Sequence, residues 1–299
     1  MGTNKQLKGS MYIALSSFFF GTYGVWARLI GASLGNLFQV WVRSLLILLI
    51  IIPIALLTRS LKPIKSSHIK WIALYAGAGA FTVAPIFYAY NIIGIGPATL
   101  LFYASLTIVS YISGVISFRE NMTLVKIGSL LLALVGLCLV FSISFTNNAL
   151  IATLAAVIAG CAAGIEVTYT KKVSSYYSPL QLSIFTWGII FVSHLILSKV
   201  LGESWVFITI NIAWLGVLGY AIASLCAFFF VILGFKYSEP SVASIVGLLE
   251  IIFGIAFGVV FFHESLTLTL VIGSLLIIVA AALPNIKDIL AHTQSKHAL

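Results

Sequence analysis

Residues Arg119–Leu131 read RENMTLVKIGSLL and residues His263–Leu276 read HESLTLTLVIGSLL. In each, an apolar run stops at a basic or imidazole side chain and an acid follows. After a short polar turn, a new apolar run opens with Ile-Gly-Ser-Leu-Leu. Glu120 and Glu264 lie 144 residues apart, Trp71 and Trp214 lie 143 apart, and Gln39 and Gln181 lie 142 apart. A nearly constant offset along the chain marks one duplicated unit with single-residue slips.

Outward from these junctions, each copy holds five apolar runs. A spanning helix needs ~20 predominantly apolar residues. Ten windows qualify, at 10–30, 36–57, 69–91, 95–117, 123–143, 149–170, 180–198, 212–236, 240–262 and 266–284. The connections are short and rich in turn formers, as in Gly94-Ile-Gly-Pro97, Thr146-Asn147-Asn148 and Ser238-Glu-Pro240. Only the ends and the loops near 58–68 and 199–211 exceed a tight turn. This divides the chain into an N-terminus (1–9), a first repeat (10–143), a second repeat (149–284) and a tail (285–299). The first run is of spanning length with no cleavage site after it, so the first helix is expected to stay in the mature protein. Since five is odd, the second copy enters the membrane from the opposite side, the inverted-repeat plan of secondary transporters.

Composition agrees. The 299 residues are 61% hydrophobic and 8% charged, with a mean hydropathy of +1.16. Soluble domains are roughly half apolar and a quarter charged. A net charge of +9 raises the question of nucleic acid, but the 16 Lys and Arg sit in short gaps between apolar runs rather than on one basic face. Counted on alternate sides, thirteen fall with the N-terminus: Lys5, Lys8, Arg59, Lys62, Lys65, Lys70, Arg119, Lys126, Lys171, Lys172, Lys236, Lys287 and Lys296. Arg28 and Lys199 fall opposite, and Arg43 lies inside a span. The positive-inside rule then puts both termini in the cytoplasm and the protein in the inner membrane. Cys138, Cys161 and Cys226 each lie in an apolar run, without the spacing of a metal site or a disulfide framework. No cofactor or metal is expected.

A proline opening a helix (Pro97, Pro240), a Glu about two dozen residues later (Glu120, Glu264), then Ile-Gly-Ser-Leu-Leu, all occurring twice, resembles the EamA branch of the drug/metabolite transporter superfamily. The resemblance covers roughly residues 10 to 284, and the two junction glutamates are its most specific marks. Arg43 in Trp-Val-Arg-Ser-Leu looks like the arginine that family carries in its second helix. Leu-Leu-Glu ending at Glu250 looks like its ninth-helix Leu-Glu-Pro, with Ile251 in place of the proline and so without the covalent cause of a kink. The resemblance implies an all-α membrane protein, its ten transmembrane helices forming two inverted five-helix repeats around a central cavity. Helices one to four and six to nine would surround that cavity, with five and ten outside. It also implies a small-molecule metabolite as partner, within a range from amino acids and amines to nucleotide derivatives, and a monomer or homodimer.

An ionisable group at membrane depth is costly and faces the protein interior, so Arg43, Glu166 and Glu250 are functional candidates. Glu250 lies about ten residues into its helix and shares a stripe with Gly247, Gly254 and Gly258. It is read either as a transport acid or as interhelical glue. Arg43 shares a face with Asn36 and Gln39, and suits a substrate carboxylate or a structural ion pair with Glu250 or Glu166. Glu166, nearer the cytoplasmic end, is either a gating group or a side chain reaching for the headgroups. His194, with Trp187 and Ser198 at helical spacing, reads as a structural histidine before a proton relay. Tyr103 and Thr107 in helix four, Tyr23 and Trp26 in helix one, and Tyr220 and Ser224 in helix eight suit a small amphipathic ligand or plain packing. Gly77, Gly79 and Pro85 in helix three and Pro53 in helix two are candidate hinges.

The leading function is a secondary transporter of a small polar or amphipathic metabolite, an amino acid or related compound, working by alternating access with or without proton coupling. The alternatives are a lipid-carrier flippase, an accessory membrane subunit and a membrane-embedded enzyme. The enzyme would need a close acid pair or metal ligands, and the seven acids supply no such pair inside a span.

Overall fold

In a bilayer every backbone amide must find its partner inside the chain, so a sequence this apolar folds as helices. The computed structural model describes residues 3–31, 33–141, 150–206 and 211–297. The expected turn at Thr146-Asn147-Asn148 lies outside the described residues. Among them are ten spans of length and composition suited to crossing a membrane. Two spans are broken: the first into α1 (Thr3–Gly21) and α2 (Tyr23–Ile30), the ninth into α10 (Pro240–Gly247) and α11 (Leu249–Phe262). Between them run α3 (Asn36–Leu57), α4 (Ile69–Ile93), α5 (Ile95–Phe118), α6 (Leu124–Phe141), α7 (Leu150–Val173), α8 (Pro179–Val200) and α9 (Ile212–Tyr237); α12 (Leu268–His297) closes the chain.

Small residues let these helices approach closely, the usual means of association where lipid is as apolar as leucine. Ala156 and Ala159 of α7 pack on Ala89 of α4 and Ala98 of α5. A Cβ on Gly164 would meet Val109 of α5 at 2.7 Å. Gly136 of α6 and Gly273 of α12 lie against each other's carbonyls, so close that a Cβ on Gly136 would stand 2.8 Å from Gly273 O and one on Gly273 2.7 Å from Gly136 O. The helices α6 and α12 thus pack most closely on each other, while their buried residues Leu137 and Ile277 join the same core as Ile13 of α1 and Val242 of α10. Ser10 Oγ donates to Asn285 Oδ1 at 2.8 Å, bringing the start of the first span and the end of the tenth to one side, here the terminal face. Outward leucines such as Leu57 and Leu124 are more than four-fifths exposed, an arrangement only lipid can cover.

The two repeats end their fourth and ninth spans alike. Arg119 and His263 both adopt the left-handed region, at φ 53° and 54°, uncommon for residues other than glycine. The following amides reach back, Glu120 N to Gly114 O and Glu264 N to Gly258 O, each at 3.3 Å. Each glutamate then folds its carboxyl over a glycine: Glu120 over Gly114, Glu264 over Gly258.

The breaks fall where sequence reasoning does not put them. α3 continues through Pro53 and α4 through Pro85, so the glycines and prolines of those spans interrupt neither helix. The first span breaks at Thr22, whose hydroxyl donates to Phe19 O at 2.7 Å; such back-bonding competes with the helix ladder and bends it. The ninth breaks at Leu248 with no proline at hand, and its amide shortens to a bond with Ile245 O at 3.1 Å. Ser17 Oγ reaches across from α1 to Gly247 O at 3.2 Å, satisfying a carbonyl at the break. Neighbouring spans thus compensate the lost ladder bond without proline.

Candidate functional site

A cavity of about 310 Å³ lies at the centre. Its lining comes from the first to fourth and the sixth to ninth spans, and no residue of α6 or α12 contributes. Phe20, Phe87, Phe102, Trp187 and Phe228 make the wall aromatic. Arg43, Glu166 and Glu250, the three membrane-depth ions, all border it.

Arg43 leaves α3 with only 6% of its surface exposed. Its guanidinium carbon stands 3.8 Å from the centre of the Tyr220 ring, and that ring lies 4.2 Å from the ring of Tyr23 at a tilt of 37°. An arginine stacked on an aromatic face keeps its edge free for a bidentate partner. Its Nε has no hydrogen-bond partner, and among the described residues no ion pair joins it to Glu166 or Glu250. The structural pairing weighed from sequence is therefore not made in this conformation.

Glu250 is the second residue of α11, in its first turn after the break at Leu248, and Tyr23 opens α2 directly after the break at Thr22. The two breaks are neighbours: a Cβ on Gly21 would stand 3.1 Å from the Glu250 carbonyl oxygen and 3.0 Å from the Gly254 nitrogen. Glu166 of α7 rests on the bare Cα of Gly79 in α4, where a Cβ would stand 2.6 Å from its Cδ. Gly79 thus makes room for this carboxyl.

Tyr103 also lines the cavity, whereas Gln39, Trp26, Thr107 and Ser224 do not. Thr107 is fully buried and donates to Tyr103 O at 2.8 Å. Trp26 Nε1 donates to Thr22 Oγ1 at 3.0 Å, and the ring lies on Gly219 of α9. His194 is buried outside the lining, its Nδ1 3.0 Å from Ile190 O.

Other polar residues emerge only in three dimensions. Glu203 accepts from Leu37 N and Phe38 N at 3.0 and 2.7 Å, holding the amide end of α3 where helix N-termini favour an anion. On the terminal face, Gln181 at the start of α8 brackets Lys62, donating to its carbonyl at 2.7 Å and accepting from its amide at 3.0 Å. The two clamps join corresponding parts of the repeats on opposite faces. A buried knot also gathers on the terminal face. Ser241 donates to Glu120, and Lys126 Nζ lies 3.6 Å from Glu120 and 2.6 Å from Glu239. Lys171 donates to Ser238 O at 2.5 Å. Burial raises the Glu120 pKa above the ordinary carboxylate value, against the lowering effects of Ser241 and Lys126. On the far face its repeat-mate Glu264 pairs with Arg28 of α2, both about half exposed.

Two stretches of the chain, residues 7–142 and 150–286, match the model of the EamA-like transporter family. The chain belongs to the EamA-like transporter family. It is a multi-pass membrane transporter of that type, and the internal symmetry of the two matches is that of the inverted repeats. One solved crystal structure is similar with a TM-score of 0.81 at 15% identity, over 95% of this chain and 98% of the other. At that identity the likeness shows the fold alone. No curated protein matches the chain. In this transporter the cavity between the repeats stands where inverted-repeat carriers place their cargo.

Proposed function

We propose that this chain is a secondary transporter that carries a small polar or amphipathic metabolite, an amino acid or related compound, across the inner membrane by alternating access. One observation carries the reading: a guanidinium and two carboxylates, none with an ion-pair partner among the described residues, open into one aromatic-walled cavity at membrane depth. Charges so placed are tolerated when a ligand or a proton supplies the missing partner. Arg43 holds the anionic group of the cargo in two hydrogen bonds, Tyr220 and Tyr23 cover it, and Glu250 faces its cationic group or takes up a proton. Glu166, deeper toward the terminal face, is the second protonatable position. Both termini are cytoplasmic, following the thirteen-to-two division of basic residues.

The test is counterflow in proteoliposomes. Vesicles holding the purified protein and loaded with one unlabelled amino acid at a time accumulate the labelled compound above protein-free controls if the reading is right. A panel of zwitterionic, cationic and anionic metabolites that yields no protein-dependent exchange, with correctly folded protein in the bilayer, overturns it.

A further inference from the structure

We infer that the paired half-helices α2 and α11 form the gate on the far face, latched by Arg28 and Glu264, and that this gate opens more readily than the one on the terminal face.

Four observations converge. The breaks at Thr22 and Leu248 give the first and ninth spans an independent far half each, and the two breaks touch through Gly21. A jointed segment needs residues that absorb backbone rotation, and both breaks have already left the helical ladder. The far halves are tied together at their outer ends: Arg28 pairs with Glu264 just past α11, and its guanidinium carbon stands 4.2 Å from the ring centre of Phe262. Glu264 is aimed by the left-handed His263 and seated on Gly258, so the latch depends on backbone geometry at the span end. Finally, Tyr23 is the first residue beyond its joint and Glu250 the second beyond the other, so any swing of the half-helices moves two cavity groups at once.

The repeat permits a direct comparison of the two faces. Glu120 occupies the same place as Glu264, yet it is 7% exposed and knotted to Ser241 and Lys126, with Glu239 and Lys171 alongside. Arg28 and Glu264 have side chains 51% and 45% exposed. Separating an exposed ion pair loses little because water takes over both charges, whereas opening the knot would strand buried ones. The far gate is therefore the weaker of two gates built from one motif.

Opening can be read without any cargo, so the outcome does not depend on which metabolite is carried. In a chain whose native cysteines are replaced, Thr82→Cys places one thiol on the cavity wall. Its reaction with a membrane-impermeant maleimide is timed in sealed vesicles of each orientation. Arg28→Ala and Glu264→Ala are each expected to speed labelling from the far face by about two- to fivefold, the range an exposed ion pair supports. The exchange Arg28→Glu with Glu264→Arg is expected to restore the slow rate. About 1 M salt should speed labelling of the unaltered latch and add nothing in the alanine variants. Rates unchanged in both single variants, or raised from the terminal face instead, overturn the inference. Should neither variant fold, the salt comparison on the intact latch decides: no acceleration from the far face overturns it.

Discussion

The carboxyl of Glu166 lies directly on the Cα of Gly79, close enough that a methyl group on Gly79 would stand 2.6 Å from Glu166 Cδ. Packing rather than an ion pair positions this acid at the cavity. Gly79→Ala must displace it, with a stability loss of about 1–3 kcal/mol expected for overpacking. Adding Glu166→Ala should return most of that loss, since the colliding atoms are gone. Thermal unfolding of the two single variants and the double variant measures the coupling. Additive effects would show that Glu166 does not occupy the space beside Gly79.

Arg43→Lys keeps the charge but loses the planar fork and the stack on Tyr220. We expect about a tenfold or greater fall in transport efficiency for a cargo held by two hydrogen bonds, at about 1.4 kcal/mol per factor of ten. Unchanged kinetics with normal expression would assign Arg43 to structure.

Glu250→Gln preserves shape and removes titration. Substrate binding lost at every pH would mark Glu250 as partner to a cationic group, whereas binding retained with gradient-driven accumulation lost would mark proton coupling. Flux and pH dependence both equal to the parent's would show that the residue only joins helices, and the site assignment would fall.

Glu120 carries a sign that can be checked. Its pKa in the fold lies above the ordinary value of 4.5, because burial outweighs Ser241, Lys126 and Lys171, while Glu239 adds to the rise. An acid that binds its proton more tightly when folded contributes stability fully present below about 4.5, and loses it as pH rises through the raised folded pKa. Thermal stability should therefore decline over that interval, and Glu120→Gln should flatten the decline. An unaltered pH profile in that variant would contradict the assignment.

Topology has its own test. Ser66 is exposed on the terminal face. In a cysteine-free background Ser66→Cys should stay unlabelled by an impermeant reagent in intact cells and react once the membrane is opened. Labelling of intact cells would reverse the proposed orientation.

Much of this protein is legible in its primary structure because the bilayer leaves few choices. A run of twenty apolar residues must become a helix, so the expected window at 36–57 and the helix α3 coincide, and the window at 240–262 matches α10 and α11 together. The duplicated junctions around Glu120 and Glu264 revealed the inverted halves, and the cost of charge in lipid singled out Arg43, Glu166 and Glu250, all of which border the cavity. Tertiary structure decided which neighbours those groups have. No spacing along the chain tells that Gly79 clears room for Glu166, that Ser17 caps a break in a helix 230 residues away, or that Glu203 holds the start of α3. Nor does repetition imply equal surroundings. Glu120 and Glu264 share a motif and a backbone turn, but one is buried among partners from other spans and the other meets a single exposed arginine. Local sequence governs helix formation because those hydrogen bonds close within four residues. Burial, pairing and the placing of a break depend on side chains contributed by distant spans, and these are set only when the helices pack.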